Sequence, residues 1–284
     1  MSRIKMICVD LDGTLLCNDH QTIPAANLEA IREAAKAGVA VVPCTGRILS
    51  RVPQSVREVP QLRYAIVING AQVLDTLQDR VLYSAYLPVE TVLRAMEQFA
   101  PLQLMPEVYQ GDRMLISRQD LARLAKTGME RAHLEYMLHK ETPVEDLEAH
   151  LRAHPDGICK LQFPYFESLA QRDAVREELE RWGGLKMSYS MERNLEINAE
   201  GATKGQAIRA LSAALGLGLD EVMAIGDGEN DRDMLSTAGC SVAMANAAPS
   251  LQSLAAHVTG SNEEGGVAMA IRAALRGGEN GWIG

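Results

Sequence analysis

Aromatic side chains make up only 4% of the 284 residues. No apolar run approaches the roughly 20 residues that a membrane-spanning helix needs. Positive charge is also in deficit: 28 Lys and Arg face 37 Asp and Glu, for a net charge of −9. That balance argues against a nucleic-acid or anionic-membrane surface, because both need a basic field. The five cysteines are odd in number and never fall in a CxxC pair, which excludes a zinc ribbon or a disulfide framework. Internal repeats and low-complexity segments are absent. Arg3 and Lys5 precede an apolar run, but Asp10 and Asp12 interrupt it before it could act as a signal peptide. A chain that is 47% hydrophobic and 23% charged is expected to be globular, cytoplasmic and long enough for two domains.

The stretch that organises the chain is Val9-Asp10-Leu11-Asp12-Gly13-Thr14-Leu15-Leu16. Ile4 to Val9 form a short apolar run of the kind found in a buried parallel strand, and Gly13 ends it. Residues two apart on an extended chain point the same way, so Asp10 and Asp12 leave the strand's carboxyl end together. Open α/β sheets bind their ligands at that end.

Further segments repeat the pattern. Pro24 opens a helix that Gly38 closes, and the strand that follows ends in Cys44-Thr45-Gly46-Arg47. A helix through about Val56, with Pro53 at its start or kink, leads to a strand at Tyr64 to Ile68 that stops at Asn69-Gly70. The βαβαβ alternation predicts a doubly wound, mainly parallel Rossmann-like sheet. From Gln72 a hairpin intervenes, and residues 86–190 read as an inserted α+β domain with strands at 102–108, 113–117, 158–163 and 185–190 and helices at 89–100, 144–153 and 167–182. The parallel pattern is expected to resume at Asn194 to Ile197. It continues through Lys204 in the first turn of a helix, a strand ending in Gly226-Asp227-Gly228-Glu229-Asn230-Asp231, a strand at 241–244 and a helix at 266–275. This divides the chain into a catalytic core, 1–85 with 191–284, and the insert. None of the six histidines shows metal-ligand spacing, so all are taken as surface or structural.

Singly, each of these turns also reads as an ordinary cap. Together, Asp10, Asp12, Asp227 and Asp231 crowd four carboxylates at neighbouring strand ends, an arrangement that needs protons or a cation. A hard, oxygen-ligated Mg²⁺ suits a set that offers no thiolate or imidazole. Lys204, Thr45 and the amides around Leu11 and Gly46 are then placed to receive a phosphate.

In these four ordered motifs the chain resembles the haloacid dehalogenase superfamily of phosphohydrolases, most closely its Cof-type branch: Asp10-Leu11-Asp12-Gly13-Thr14, Thr45-Gly46-Arg47, Lys204, and Gly226 to Asp231. The insert matches that branch's cap domain. Gly228 and Gly265-Gly266 depart from the commonest pattern at positions that bear on substrate preference. The resemblance implies that Asp10 is a nucleophile forming an aspartyl-phosphate and that Asp12 acts as acid and then base. It also implies that Mg²⁺ is held by the Asp10 carboxylate, the Asp12 carbonyl and Asp227, with Asp231 as a direct or supporting ligand. Thr45 and Lys204 are implied to bind the phosphoryl group, with Leu11, Gly46, Arg47 and Asn230 as phosphate or substrate contacts and Asn69 at the entrance. The expected activity is Mg²⁺-dependent hydrolysis of a small phosphorylated metabolite, such as a sugar phosphate or a phosphorylated cofactor, by a monomer or homodimer. A phosphohexomutase and a silent phosphate-binding protein are the alternatives.

Overall fold

The computed structural model describes residues 4–129, 131, 134–135, 138, 141–189 and 191–277. His133, His139, Ser190 and the glycine-rich tail beyond Gly277 lie outside the described residues. The chain forms two compact units, Met1–Ser84 with Thr203–Gly284, and Ala85–Ala202. In chain order the first unit contributes strands β1 (Met6–Asp10), β2 (Ala40–Cys44), β3 (Tyr64–Val67), β4 (Gln72–Asp75) and β5 (Arg80–Ser84). The second contributes β6 (Glu107–Gln110), β7 (Arg113–Ser117), β8 (Thr142–Val144), β9 (Ile158–Phe163), β10 (Leu185–Ser188) and β11 (Leu195–Ala199). The first unit then resumes with β12 (Val222–Gly226), β13 (Cys240–Ala243) and β14 (His257–Val258).

The first unit is a sheet in the order β14-β13-β12-β1-β2-β3-β4-β5, parallel from β14 to β3 and antiparallel through β4 and β5. All five residues of β1 are buried, as a strand covered on both faces requires. Ile7 and Val9 pack with Ala30, Ile31 and Ala34 of helix Ala25–Lys36 and with Val267 and Ile271 of helix Gly266–Arg276. Met6 and Cys8 point the other way, to Ala207, Ile208 and Leu211 of helix Lys204–Ala214. The two-residue period of the strand thus builds a helix–sheet–helix sandwich. The helix expected through Val56 is broken at Pro53 into a turn at Leu49–Arg51 and a short helix at Gln54–Arg57.

The second unit has a six-stranded sheet, β10-β11-β9-β6-β7-β8, antiparallel except for β7 and β8. Val108, Leu161, Phe163, Leu195 and Ile197 pack against Val92, Phe99, Leu151 and Val175 of its helices. In cross-strand register, Glu107, Gln162 and Glu196 form a buried polar row.

Here four expectations are corrected. The strand beginning at Leu195 does not resume the parallel sheet; it pairs antiparallel with β9 and β10. Its sequence, Leu-Glu-Ile-Asn-Ala, alternates apolar and polar residues, whereas the central parallel strands, such as Val222–Gly226, run apolar residues in succession. The second crossing between units therefore falls at Ala202–Thr203, not at 190–191. The strand expected at 102–108 begins only at Glu107, because Pro101 and Pro106 cannot donate to a ladder. Helix Leu147–Ala153 starts later than expected, where Asp146 caps it by accepting from the Ala149 amide.

Candidate active site

Register assembles the site. β1 lies between β12 and β2, with Val9 beside Ile225 and Asp10 beside Cys44. The carboxyl ends of the two neighbouring strands therefore set Asp227 and Thr45 on either side of Asp10. Beyond β1 the chain makes a tight turn at Leu11–Leu15, in which Gly13 takes φ +80°. A Cβ at Gly13 would stand 2.4 Å from Asp227 Oδ2, so both the turn and its neighbour require glycine.

Lys204, in the first turn of its helix, is buried and donates to Asp10 Oδ1 at 2.5 Å and to Asp231 Oδ1 at 2.6 Å. The helix start is fixed by Thr203, whose side chain accepts from the Gln206 amide. Asp231 is fully buried, and its second oxygen accepts from the amides of Asp227 and Gly228 at 3.0 and 2.9 Å. The Thr14 hydroxyl donates to Asp227 Oδ1 at 2.6 Å.

Burial pushes the Asp10 carboxyl well above the usual carboxylate range; the nearby Asp231 and Asp227 charges add to this and Lys204 opposes it. Burial likewise raises Asp227, to about 6, with the Thr14 hydrogen bond opposing and the Asp231 charge adding to the rise. Burial alone would lower Lys204, but Asp10 and Asp231 outweigh it and hold the ammonium well above its ordinary value. These are the shifts of a site with too much negative charge for one lysine.

Asp10, Asp227 and Asp231 each offer an oxygen within 4.8 Å of the others. This all-carboxylate set fits a hard divalent cation such as Mg²⁺. With both Asp231 oxygens already engaged, Asp10 and Asp227 suit direct ligation, and Asp231 suits support of the ligating loop.

The other expected residues group differently. Asp12 turns its side chain away from this trio: Arg47 Nε donates to Asp12 Oδ2 at 2.9 Å and Nη2 to Oδ1 at 2.5 Å. The guanidinium expected to contact phosphate is therefore engaged with Asp12. Thr45 is buried, its hydroxyl accepting from the Arg47 amide at 3.1 Å. Gly46 lies close against Asn69, whose Oδ1 would be 2.9 Å from a Cβ there. Asn69 has φ +55° and follows Ile68 at φ +52°, a strained turn at the end of β3. Asn230 is exposed, with its amide 3.5 Å from Asn69 Oδ1.

Three neighbours were not foreseen. Thr14 belongs to the first motif but reads as a turn former. Asn246 donates to the Gly13 carbonyl at 2.8 Å and reads as a loop residue. His20, taken as a surface residue, places Nδ1 2.8 Å from Asp12 Oδ1. Only the sequence proximity of His20 to the first motif could have signalled this.

A model of haloacid dehalogenase-like hydrolases matches residues 7–271. A 5-amino-6-(5-phospho-D-ribitylamino)uracil phosphatase of Bacillus subtilis is 33% identical over 269 residues, covering 95% of each chain. An HMP-PP phosphatase of Cronobacter sakazakii is 27% identical over 85% of this chain and 84% of its own. Among solved structures, a haloacid dehalogenase-like hydrolase from B. subtilis aligns with a TM-score of 0.78 at 28% identity, over 94% of this chain and 99% of that one.

Proposed function

Since the chain belongs to the haloacid dehalogenase-like hydrolases, we propose that it is a Mg²⁺-dependent phosphatase of small phosphorylated metabolites that works through an aspartyl-phosphate on Asp10. The observation that carries this reading is the buried Asp10 carboxylate held at 2.5 Å by Lys204, at the carboxyl end of the strand flanked by β12 and β2. Lys204 restrains one oxygen and leaves the other to attack.

In the first half-reaction Asp10 attacks phosphorus, the bond to the leaving oxygen breaks, and Asp12 supplies the proton that oxygen needs. In the second, water attacks the phosphorus of the aspartyl-phosphate, Asp12 takes the water's proton, and the bond to Asp10 breaks. The proton balance closes on Asp12, so one carboxyl group serves both steps. Thr45, Lys204 and the amides of Leu11 and Gly46 hold the phosphoryl oxygens. Asp10, Asp227 and the Asp12 carbonyl, with Asp231 in support, would hold Mg²⁺, which would supply the positive charge that one lysine cannot. Arg47 serves by gripping Asp12.

The named activities of the two relatives support sugar phosphates and phosphorylated cofactor precursors as the substrate class. A phosphate-release screen over such compounds, with Asp10→Asn as the blank, tests the reading. Release of inorganic phosphate without an added bisphosphate is expected. Turnover only with a bisphosphate activator points instead to a mutase, and no turnover at all to a binding protein.

A further inference from the structure

We propose that His20 is a positioning residue for Asp12, holding the carboxyl group through both halves of the reaction; the role rests on the phosphatase reading above. His20 Nδ1 stands 2.8 Å from Asp12 Oδ1, on the carboxyl group that Arg47 also grips through Nε and Nη2. Arg47 Nη2 reaches the His20 carbonyl as well, at 3.4 Å. Two side chains from separate loops therefore hold one half-exposed carboxyl group.

The backbone shows that His20 is held in place. Its φ is +56°, a left-handed conformation that few residues with a side chain take unless the surroundings impose it. The surroundings do so. Asp19 Oδ1 accepts from the amides of Gln21 and Thr22, both at 2.8 Å, and Asp19 Oδ2 accepts from the Thr22 hydroxyl. The Cys17 amide donates to the Thr22 carbonyl, and the His20 amide donates to the Cys17 carbonyl. At its base the loop is tied by Asn262, which donates to the Leu16 carbonyl and to Asn18 Oδ1, each at 3.0 Å.

Chemistry separates the two partners of Asp12. A guanidinium only donates, so Arg47 can meet the lone pairs of the Asp12 carboxyl group but not a proton on it. An imidazole nitrogen donates in one neutral tautomer and accepts in the other, so His20 can pair with Asp12 both with its proton and without it. Losing His20 therefore penalises the step in which Asp12 must deliver a proton.

Leaving groups of different basicity read out that penalty. An alkoxide from an alkyl phosphate needs protonation, whereas p-nitrophenolate departs with little help. For His20→Ala we expect kcat on an alkyl phosphate to fall roughly tenfold or more, within the range that general acid catalysis contributes. On p-nitrophenyl phosphate the fall should be under about threefold, with KM little changed on both. His20→Asn should recover most of the loss, because an amide both donates and accepts and asparagine tolerates positive φ. Thermal melting of each variant establishes that the fold is kept. Equal losses on both substrates, no loss on either, or no recovery with His20→Asn overturns the proposal. Asp12→Asn, run in parallel, separates this from failure of the underlying reading: if that variant still turns over alkyl phosphates, the acid assignment itself falls.

Discussion

Lys204 Nζ lies 2.5 Å from Asp10 Oδ1 and is shared with Asp231 at 2.6 Å, so one buried ammonium serves two buried carboxylates. Asp227 adds a third negative group to the same cluster. With both carboxyl groups ionised, Lys204, Asp10 and Asp231 together carry a net negative charge even before a phosphate dianion is added. The arrangement therefore holds the Asp10 carboxyl group in place and creates a demand for a cation.

Asp10→Asn is expected to lower kcat by roughly 10³-fold or more while preserving the fold, because the amide is nearly isosteric but a poor nucleophile. Lys204→Ala should lose both activity and stability. It strands two buried carboxylates, a change that typically costs about 3–5 kcal/mol. Parallel kinetics and calorimetric melts distinguish the two variants. A purified Asp10→Asn protein that keeps more than a tenth of wild-type activity would falsify the nucleophile assignment.

Chelation should abolish turnover, and Mg²⁺ should both restore it and raise the melting temperature. At about a hundred times Kd the added stability is about 2.7 kcal/mol. Asp227→Asn should remove that shift. The metal-free variant should nevertheless melt higher than metal-free wild type at pH 8. The Asp227 carboxyl is raised from 3.8 to about 6 in the fold, so its contribution is full below pH 3.8 and is lost as pH rises through about 6. Unchanged activity after exhaustive chelation, or a Mg²⁺ shift that survives Asp227→Asn, counts against the metal assignment.

The catalytic half of the fold was legible because its signals are local. An apolar run, a glycine and two carboxylates at spacing two specify β1 and the turn after it. The misplacement of β11 has a different cause: Leu195-Glu196-Ile197 is a strand pattern in either unit, and only pairing with β9 assigns it. The short edge strand His257–Val258 is too brief to leave a periodic signal. The grip of His20 and Arg47 on Asp12 was invisible for a third reason. It depends on a left-handed residue inside a six-residue loop, and although histidine adopts that conformation more readily than most residues, nothing in the sequence singles out this one.

Gly70→Ala should damage both stability and activity. Gly70 has φ +95°, and a Cβ there would stand 2.2 Å from the Thr203 carbonyl oxygen, where backbone meets backbone and no rotamer change relieves the contact. Thr203 starts the helix that carries Lys204, so the displacement reaches Asp10. Gly38→Ala is the control: it shares a positive φ, +77°, but meets nothing within 4 Å. We expect about 1 kcal/mol of destabilisation for Gly38→Ala with normal kcat, and at least twice that for Gly70→Ala with reduced kcat. Equal effects from the two substitutions, measured by urea titration and steady-state kinetics, would show that strain alone matters at Gly70.

The final prediction concerns the second unit, where Glu107 is fully buried in the polar row of the sheet. Burial pushes its carboxyl from 4.5 to about 7; the Lys160 charge opposes the rise and the Glu196 charge adds to it. Lys160 is already engaged, 3.1 Å from Glu196 Oε1 and 3.8 Å from the centre of the Tyr109 ring. A folded-state pKa above the unfolded one means that the native protein binds more protons than the unfolded chain between pH 4.5 and 7. Stability from this group is therefore full below pH 4.5 and is lost as pH rises through about 7. Glutamine mimics the protonated acid at every pH. Glu107→Gln should match wild type near pH 4 and exceed it at pH 8 by up to roughly 3 kcal/mol, about 2.5 pKa units at 1.36 kcal/mol each. The other titrating groups are common to both proteins, so their contributions largely cancel in the difference between calorimetric melts. A difference that stays constant from pH 5 to pH 8, or a variant that melts lower at pH 8, would mean that Glu107 is ionised and well paired in the native sheet.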